Sequence, residues 1–504
     1  MTFVKPNASA DPAKVILIGL DSADRGLVER WCESGDLPVL QSLRERGAYG
    51  ALSGFPALGD DATWASFYTG VSPGGHGRYY WSSAGEGSYE RELWCDRKVP
   101  KQPFWSGLSE AGLRTAVTDV PKCPLVTGFN GVQIADWQVH GRDYRETCSW
   151  PPELATEVLA RFGDDQTDRV DKDWLCRLNS ITDGELEVFE KRLRLGLEQK
   201  TRFACELLER ENWDLFLIVF KEAHCIGHQC WRSLDPTPPA RTPDDGNPIQ
   251  RIYRALDQAV GELARRAGPG TSVIVFSDLG MGPNYTGEHL LDQLLQRLEP
   301  KIASRGQRAK LAIRRGRTAA RNFAHRRRER ALAPANRLAF QVEHNEISGA
   351  IRINLKGREP AGMIAPGEEY QRYCDALKRE LLALRAPETG EPLVEQVLKT
   401  DDAYPGAHRD WLPDLFVIWA RRGRIMGAKS PTLGTVLSSP PDYRSGNHTE
   451  GGFYLGVGPQ VSRGEGGGPA SVLDLAPTVA ALLNAPRGDL EGSPIAALCG
   501  GTRR

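Results

Sequence analysis

The pattern of apolar and polar positions gives three short buried strands, each stopping where residues able to bind a ligand begin. Lys14 to Leu20 (KVILIGL) is an apolar, β-branched run that ends at Asp21 and opens into a helical stretch. Trp213 to Phe220 (WDLFLIVF) and Ser272 to Phe276 (SVIVF) repeat that arrangement, the first ending before Lys221 and the second before Ser277-Asp278. Runs that are apolar on both faces and alternate with helices predict an α/β fold, a mostly parallel central sheet flanked by helices. Such sheets carry their chemistry outside the carboxyl ends of the strands, so Asp21, the residues after Phe220, and Asp278 are expected to meet on one rim.

Two stretches between these strands, 82–210 and 282–405, are too long to be simple loops. The first is expected to be an inserted, mainly helical decoration and the second an inserted cap with a basic helical segment, both on a single α/β domain spanning 1–504. Leu412 to Trp419 reads as a further strand, and Ser471 to Leu483 as a helix with Pro477 in its opening turns. The basic segment, Lys301 to Arg337, includes Arg314, Arg315, Arg317, Arg321, Arg328 and Arg330. It reads as a solvated helix face or as an attractor of an anionic ligand or partner.

Composition narrows the class. A chain of 504 residues that is 40% hydrophobic and 26% charged is globular. Its formal net charge of −1 gives no overall pull toward nucleic acid or membrane, and no apolar run is long enough for a transmembrane helix. Met1 to Lys14 lacks the apolar core of a secretory signal, so a cytoplasmic location is expected. The ten cysteines include no C-x-x-C pair; they suggest reduced thiols and no disulfide framework. Oligomeric state leaves no signal in the composition.

The candidate chemistry lies at the strand ends. Either Asp21 or Asp278 alone resembles a capping or turn aspartate, but two carboxylates converging on one rim repel each other unless a cation neutralises them. His224 and His228 are four residues apart directly after a buried strand, a helical spacing that stacks both imidazoles on one face as a metal requires. A third, His448, sits in the loop Ser445-Gly446-Asn447-His448-Thr449-Glu450-Gly451-Gly452, where glycines allow close backbone approach. Lys221, Lys122 (in Val120-Pro121-Lys122-Cys123-Pro124) and His140 are candidate substrate contacts.

The string Phe67-Tyr68-Thr69-Gly70-Val71-Ser72-Pro73-Gly74-Gly75-His76-Gly77 resembles the TG-x-x-P-x-x-HG segment that follows the nucleophile in type I phosphodiesterases and nucleotide pyrophosphatases, a branch of the alkaline phosphatase superfamily. Asp21, Gly227-His228, Ser277-Asp278-x-Gly280, Gly446-x-His448 and Asp474-Leu475-Ala476-Pro477-Thr478 are similar to that family's other motifs and follow in its order; Gly357-Arg358-Glu359-Pro360 also looks like a recurrent piece of it. The resemblance spans nearly the whole chain and implies an alkaline-phosphatase-like fold with two divalent metal ions. By position, one metal would fall to His224, His228 and His448, with His224 where the family has an aspartate. The other would fall to Asp21, Asp60 and Asp278, with Leu279 where the family has a histidine. The nucleophile's place, nine residues before Thr69, holds Asp60; Thr63 is the nearest hydroxyl and Asp61 the nearest second carboxylate.

An all-histidine site suits zinc, manganese or iron, and three carboxylates suit manganese or magnesium. With Asp60 as a ligand, the attacking group expected is a metal-bound hydroxide; direct attack by Asp60 on phosphorus is the second route. The function so implied is a metal-dependent hydrolase or transferase acting on a phosphate ester or phosphodiester, with a small anionic substrate. The alternatives are redox or lyase chemistry at a retuned dinuclear site in specialised metabolism, or a catalytically silent homologue.

Overall fold

The computed structural model describes residues 13–94, 100–140, 146–165, 167, 182–234, 247–268, 270–320, 333–345, 347–440, 444–464 and 468–500. Nine strands form the central sheet: β1 (Lys14–Leu20), β2 (Ala48–Ser53), β3 (Thr115–Thr118), β4 (Gly131–Ala135), β5 (Cys148–Trp150), β6 (Leu215–Phe220), β7 (Thr271–Ser277), β8 (Gly452–Val457) and β9 (Ala470–Ser471). Their order is β9-β2-β8-β7-β1-β6-β3-β4-β5. The pairs β1–β6, β1–β7, β3–β6, β3–β4 and β2–β9 are parallel, whereas β8 runs antiparallel to β7 and β2, and β5 antiparallel to β4.

Register aligns the chemistry. Leu20 pairs with Phe220 and Gly19 with Phe276, so β1, β6 and β7 end nearly level. Because β8 is antiparallel, with Phe453 opposite Ser277, its first residues and the loop before it reach the same rim. A short ribbon completes that loop: Gly446–Thr449 pairs with Gly280–Pro283, setting His448 opposite Met281. The expected meeting of strand ends on one rim therefore holds, as does the mostly parallel sheet.

Helices bury both faces of the sheet. On one side α2 (Asp183–Arg210), α3 (Glu222–Cys230) and α4 (Pro248–Arg265) pack their apolar faces on Phe216, Ile218 and Val275. On the other lies α1 (Asp60–Thr69), whose ten residues are all buried; Phe67 stacks on Phe276 with ring centroids 5.1 Å apart. Asp60 and Asp61 open α1, where the helix dipole favours negative charge. Gly70, in the left-handed region at φ 67°, closes it by donating its N–H to the Ser66 carbonyl.

The cap has its own core. Ala339–Val342, Gly349–Ile353, Leu415–Trp419 and Val394–Lys399 make a four-stranded antiparallel sheet in that spatial order, against which Glu288–Ile302 and Glu368–Leu382 bury Leu291, Leu294 and Tyr373.

Two expected boundaries change. The 82–210 stretch is more than a helical decoration, since it supplies β3, β4 and β5 to the central sheet. Strands of four, five and three residues are too short to show a period in sequence. The cap runs past 405, because the strand Leu415–Trp419 lies inside its sheet. In the basic segment, Arg305–Ala320 is helical; Arg321, Arg328 and Arg330 lie outside the described residues. Among the described residues no helix is long and apolar enough to cross a membrane, and none of the eight described cysteines is in a disulfide.

Candidate metal centre on the rim

The first turn of α3 follows β6 directly, so the i, i+4 spacing of His224 and His228 projects both rings from one helix face. Gly446 brings the third ring to them: a Cβ there would lie 2.2 Å from the Gly227 carbonyl oxygen, so only glycine lets the His448 loop approach the helix this closely. The three ring centroids lie 4.7 to 4.9 Å apart, and all three side chains are buried. Among the described residues these histidines are the only group of three or more His, Cys, Asp or Glu whose ligand atoms all fall within 4.8 Å of one another.

Proton accounting fixes the tautomers. His228 Nδ1 donates to the Gly446 carbonyl at 2.8 Å, and His224 Nδ1 donates to Asp21 Oδ2 at 3.0 Å. Ser22 spends its hydroxyl proton on Asp21 Oδ1 at 3.1 Å, so its oxygen accepts from His448 Nδ1, also at 3.1 Å. Each Nδ1 is engaged by an outward partner, and the Nε2 atoms of all three rings turn inward. Yet His224 Nε2 and His228 Nε2 face each other at 3.0 Å, and His448 Nε2 faces Asp60 Oδ1 at 3.6 Å. Three inward-facing imidazole nitrogens at these distances form a donor set that could hold a metal ion. Burial first, and then neighbouring positive charge, hold His228 well below the ordinary histidine range, and burial takes His448 down to about 3, so both are neutral ligands at pH 7.

The carboxylates are arranged differently. Asp21 accepts from Trp64 Nε1 at 3.2 Å and from Ser22, besides orienting His224. Asp60 turns one oxygen to His448 and the other to the buried Lys122 ammonium, which also reaches Asp61 at 3.2 Å. Burial opposes the Asp60 charge, but Lys122, and after it His448 and His224, hold its pKa well below the usual carboxylate range. Asp278 accepts the Ser22 N–H at 3.0 Å through Oδ1, while its buried Oδ2 has no hydrogen-bond partner among the described residues. Burial, then the charge of Asp21, push Asp278 well above that range. Leu279 is buried and offers no donor atom.

Lys122 adopts the left-handed backbone conformation, φ 57°, as does Ser22 at φ 55°. Two non-glycine residues in that region at one site mark backbone held against its preference by surrounding contacts. For Lys122 those include Arg78, wholly buried, which bonds the Lys122 carbonyl at 3.0 Å and Asp61 at 3.1 Å. The Arg78 backbone N–H donates to His76 Nδ1, and His76 Nε2 meets Ser66 at 2.9 Å, which gives the histidine after α1 a structural role. From the cap, Asn345 reaches Asp60 Oδ1 at 3.4 Å and accepts from Asn447 through its carbonyl. A Cβ at Gly59 would lie 1.6 Å from the Asn345 amide nitrogen, so glycine there admits the cap residue.

His140 lies against His224, with centroids 4.1 Å apart and the rings tilted by 32°, and is partly exposed at the rim. Burial and the adjacent His224 keep it well below the ordinary histidine range. Lys221 stands apart from the other candidates: its ammonium is buried in an ion pair with Asp165 and a 2.7 Å bond to Thr167. Nothing near Lys221 in the sequence announces those partners, more than fifty positions away. Asp61, Arg78 and Asn345 carry weight that sequence reasoning did not assign; the only signal was the adjacency of Asp61 to Asp60 and of Arg78 to His76-Gly77.

A family model described as type I phosphodiesterase / nucleotide pyrophosphatase matches residues 15–449. No curated protein sequence matches. Among solved structures, an inactive murine ectonucleotide pyrophosphatase / phosphodiesterase 5 in complex with AMP is similar at 12% identity, covering 95% of this chain and 97% of its own, with TM-score 0.51. Phosphonoacetate hydrolase from Sinorhizobium meliloti 1021 in complex with phosphonoformate follows at 13% identity, 94% and 96% coverage, and TM-score 0.52. A substituted alkaline phosphatase PafA is similar at 14% identity, 97% and 99% coverage, and TM-score 0.53. At these identities the likeness establishes the alkaline-phosphatase-like fold.

Proposed function

Because the chain belongs to the type I phosphodiesterase / nucleotide pyrophosphatase family, we propose that it hydrolyses or transfers a phosphate ester or phosphodiester of a small anionic substrate, using a divalent metal held by His224, His228 and His448. Family membership supports phosphoester hydrolysis in general. One observation supports the metal: three buried Nε2 atoms converge while every Nδ1 is engaged elsewhere. Neutral imidazoles in that number suit zinc, manganese or iron.

Such an ion supplies a Lewis acid for a phosphoryl oxygen and lowers the pKa of water. This chain's own residues would do the rest. Asp60, kept ionised, turns one oxygen toward the histidines, and Asp21 and Ser22 fix the orientation of His224 and His448. Lys122 has three N–H donors, two of which point to Asp60 and Asp61, leaving the third for a non-bridging phosphoryl oxygen. His140, against the His224 ring and with Nδ1 on Cys225 Sγ, would add a neutral imidazole beside the ester. The AMP, phosphonoformate and phosphonoacetate ligands of the structural relatives are the same kind of small anion.

The test is turnover of p-nitrophenyl phosphate and bis-p-nitrophenyl phosphate before chelation, after it, and after reloading with zinc, manganese or iron. Activity lost on chelation and regained on reloading is expected. Oxygen consumption by an iron-loaded protein that turns over neither ester would replace this reading with redox chemistry.

A further inference from the structure

The family pattern assigns a second ion to Asp21, Asp60 and Asp278, and the donors at that place do not fit one. Both oxygens of Asp21 are engaged, Oδ1 by Trp64 and Ser22, and Oδ2 by the proton on His224 Nδ1. That bond makes Asp21 an orienting partner of a ligand histidine, an arrangement that fixes ring and tautomer. The Asp60 oxygen facing away from the histidines is in contact with the Lys122 ammonium. Leu279 contributes nothing where a nitrogen ligand would be needed. One oxygen, Asp278 Oδ2, is left without a partner among the described residues, and a hard divalent ion takes about six oxygen donors.

The charge is already supplied by another group. Lys122 is 6% exposed, contacts Asp60, and reaches Asp61 at 3.2 Å. Its backbone is held in the left-handed region by a carbonyl bond to the buried Arg78, which in turn bridges to Asp61. An ammonium locked among these carboxylates repels a divalent ion beside it and takes up the lone pairs that ion would need.

We propose that the centre holds a single metal ion, on the three histidines with Asp60 alongside, and that the Lys122 ammonium is the fixed second cation of the site. This rests on the metal reading given above and sets the number of ions it involves. Asp60 would then stand between that ion's histidines and the ammonium.

Cobalt(II) titration of the metal-free full chain, followed by visible absorption and checked by elemental analysis, tests it. The expected end point is one equivalent, unchanged in Asp278→Asn, which keeps the Oδ1 acceptor for Ser22. In Lys122→Ala a second, weaker equivalent is expected, because the outer oxygen of Asp60 and the near oxygen of Asp61 are released. Two equivalents in the unaltered protein, falling to one in Asp278→Asn, would overturn the single-ion centre while leaving metal dependence intact. A folded Lys122→Ala protein still limited to one equivalent would overturn the role given to Lys122. If Lys122→Ala does not fold, the end points of the unaltered protein and Asp278→Asn decide the ion count. No cobalt bound by the unaltered protein would overturn the metal reading itself.

Discussion

The two halves of the rim are built from the same strand ends but satisfy their polar atoms in opposite ways. In the histidine half, each ring bonds outward, to Asp21, Gly446 or Ser22, and turns its remaining nitrogen inward. In the carboxylate half, Asp21 and Asp60 bond to protein groups that already carry protons or charge, and only Asp278 has an oxygen left over. Three converging imidazoles suit a metal ion; three carboxylates sharing an ammonium, an indole and a hydroxyl make an anionic wall that orients and compensates. Residue type is therefore a weaker guide to metal binding than what occupies each residue's other polar atom.

The sharpest way to break this contrast is His228→Ala. Loss of one neutral ligand of three should reduce bound metal to a small fraction of an equivalent and lower phosphoester turnover by at least about a thousandfold. Unchanged metal content on elemental analysis would remove the basis of the comparison.

Asp60→Thr probes the other half by restoring the family's hydroxyl. It should lower native turnover about tenfold or more, because it removes the carboxylate joining the histidines to Lys122. A gain of orders of magnitude on a generic diester would show instead that the carboxylate half is a disabled covalent site.

Asp21→Asn tests the link between the halves. Without the carboxylate that receives its proton, His224 should bind metal about 10 to 100 times more weakly, measured by competition with a chelator. An affinity unchanged from the original protein would mean that the His224–Asp21 bond does not orient the ligand.

The smallest effect is on pH dependence. His76, beneath the carboxylate half, and His344, in the cap, are buried with pKa values pushed down from 6.5 to about 3 and about 4. In the unfolded chain both take up protons below about pH 6.5, and in the folded chain they do not, so the unfolded state binds more protons and stability falls as pH falls. Each should cost about 1.4 kcal/mol per pH unit between roughly pH 6 and 4. The denaturant midpoint of the metal-free protein should drop across that range, and His76→Asn should flatten the drop; an unaltered slope would contradict it.

The sequence by itself determined the parallel sheet, because β1, β6 and β7 are apolar on both faces and long enough to read without ambiguity. It determined that Asp21 and Asp278 stand at strand ends, and that His224 and His228 share a helix face, because strand polarity and a 3.6-residue turn are local geometry. Which way each polar atom turns was decided only by the tertiary structure. The contact of the Ser22 hydroxyl with His448, the carbonyl that Gly446 offers His228, the Arg78 brace under Lys122 and the capture of Lys221 by Asp165 all join residues far apart in the chain. The short strands β3, β4 and β5 were likewise hidden, since so few residues carry no period and take their strand conformation from the neighbours they pair with. Local sequence sets where a side chain starts; hydrogen bonds across the fold decide which of its atoms remain for chemistry.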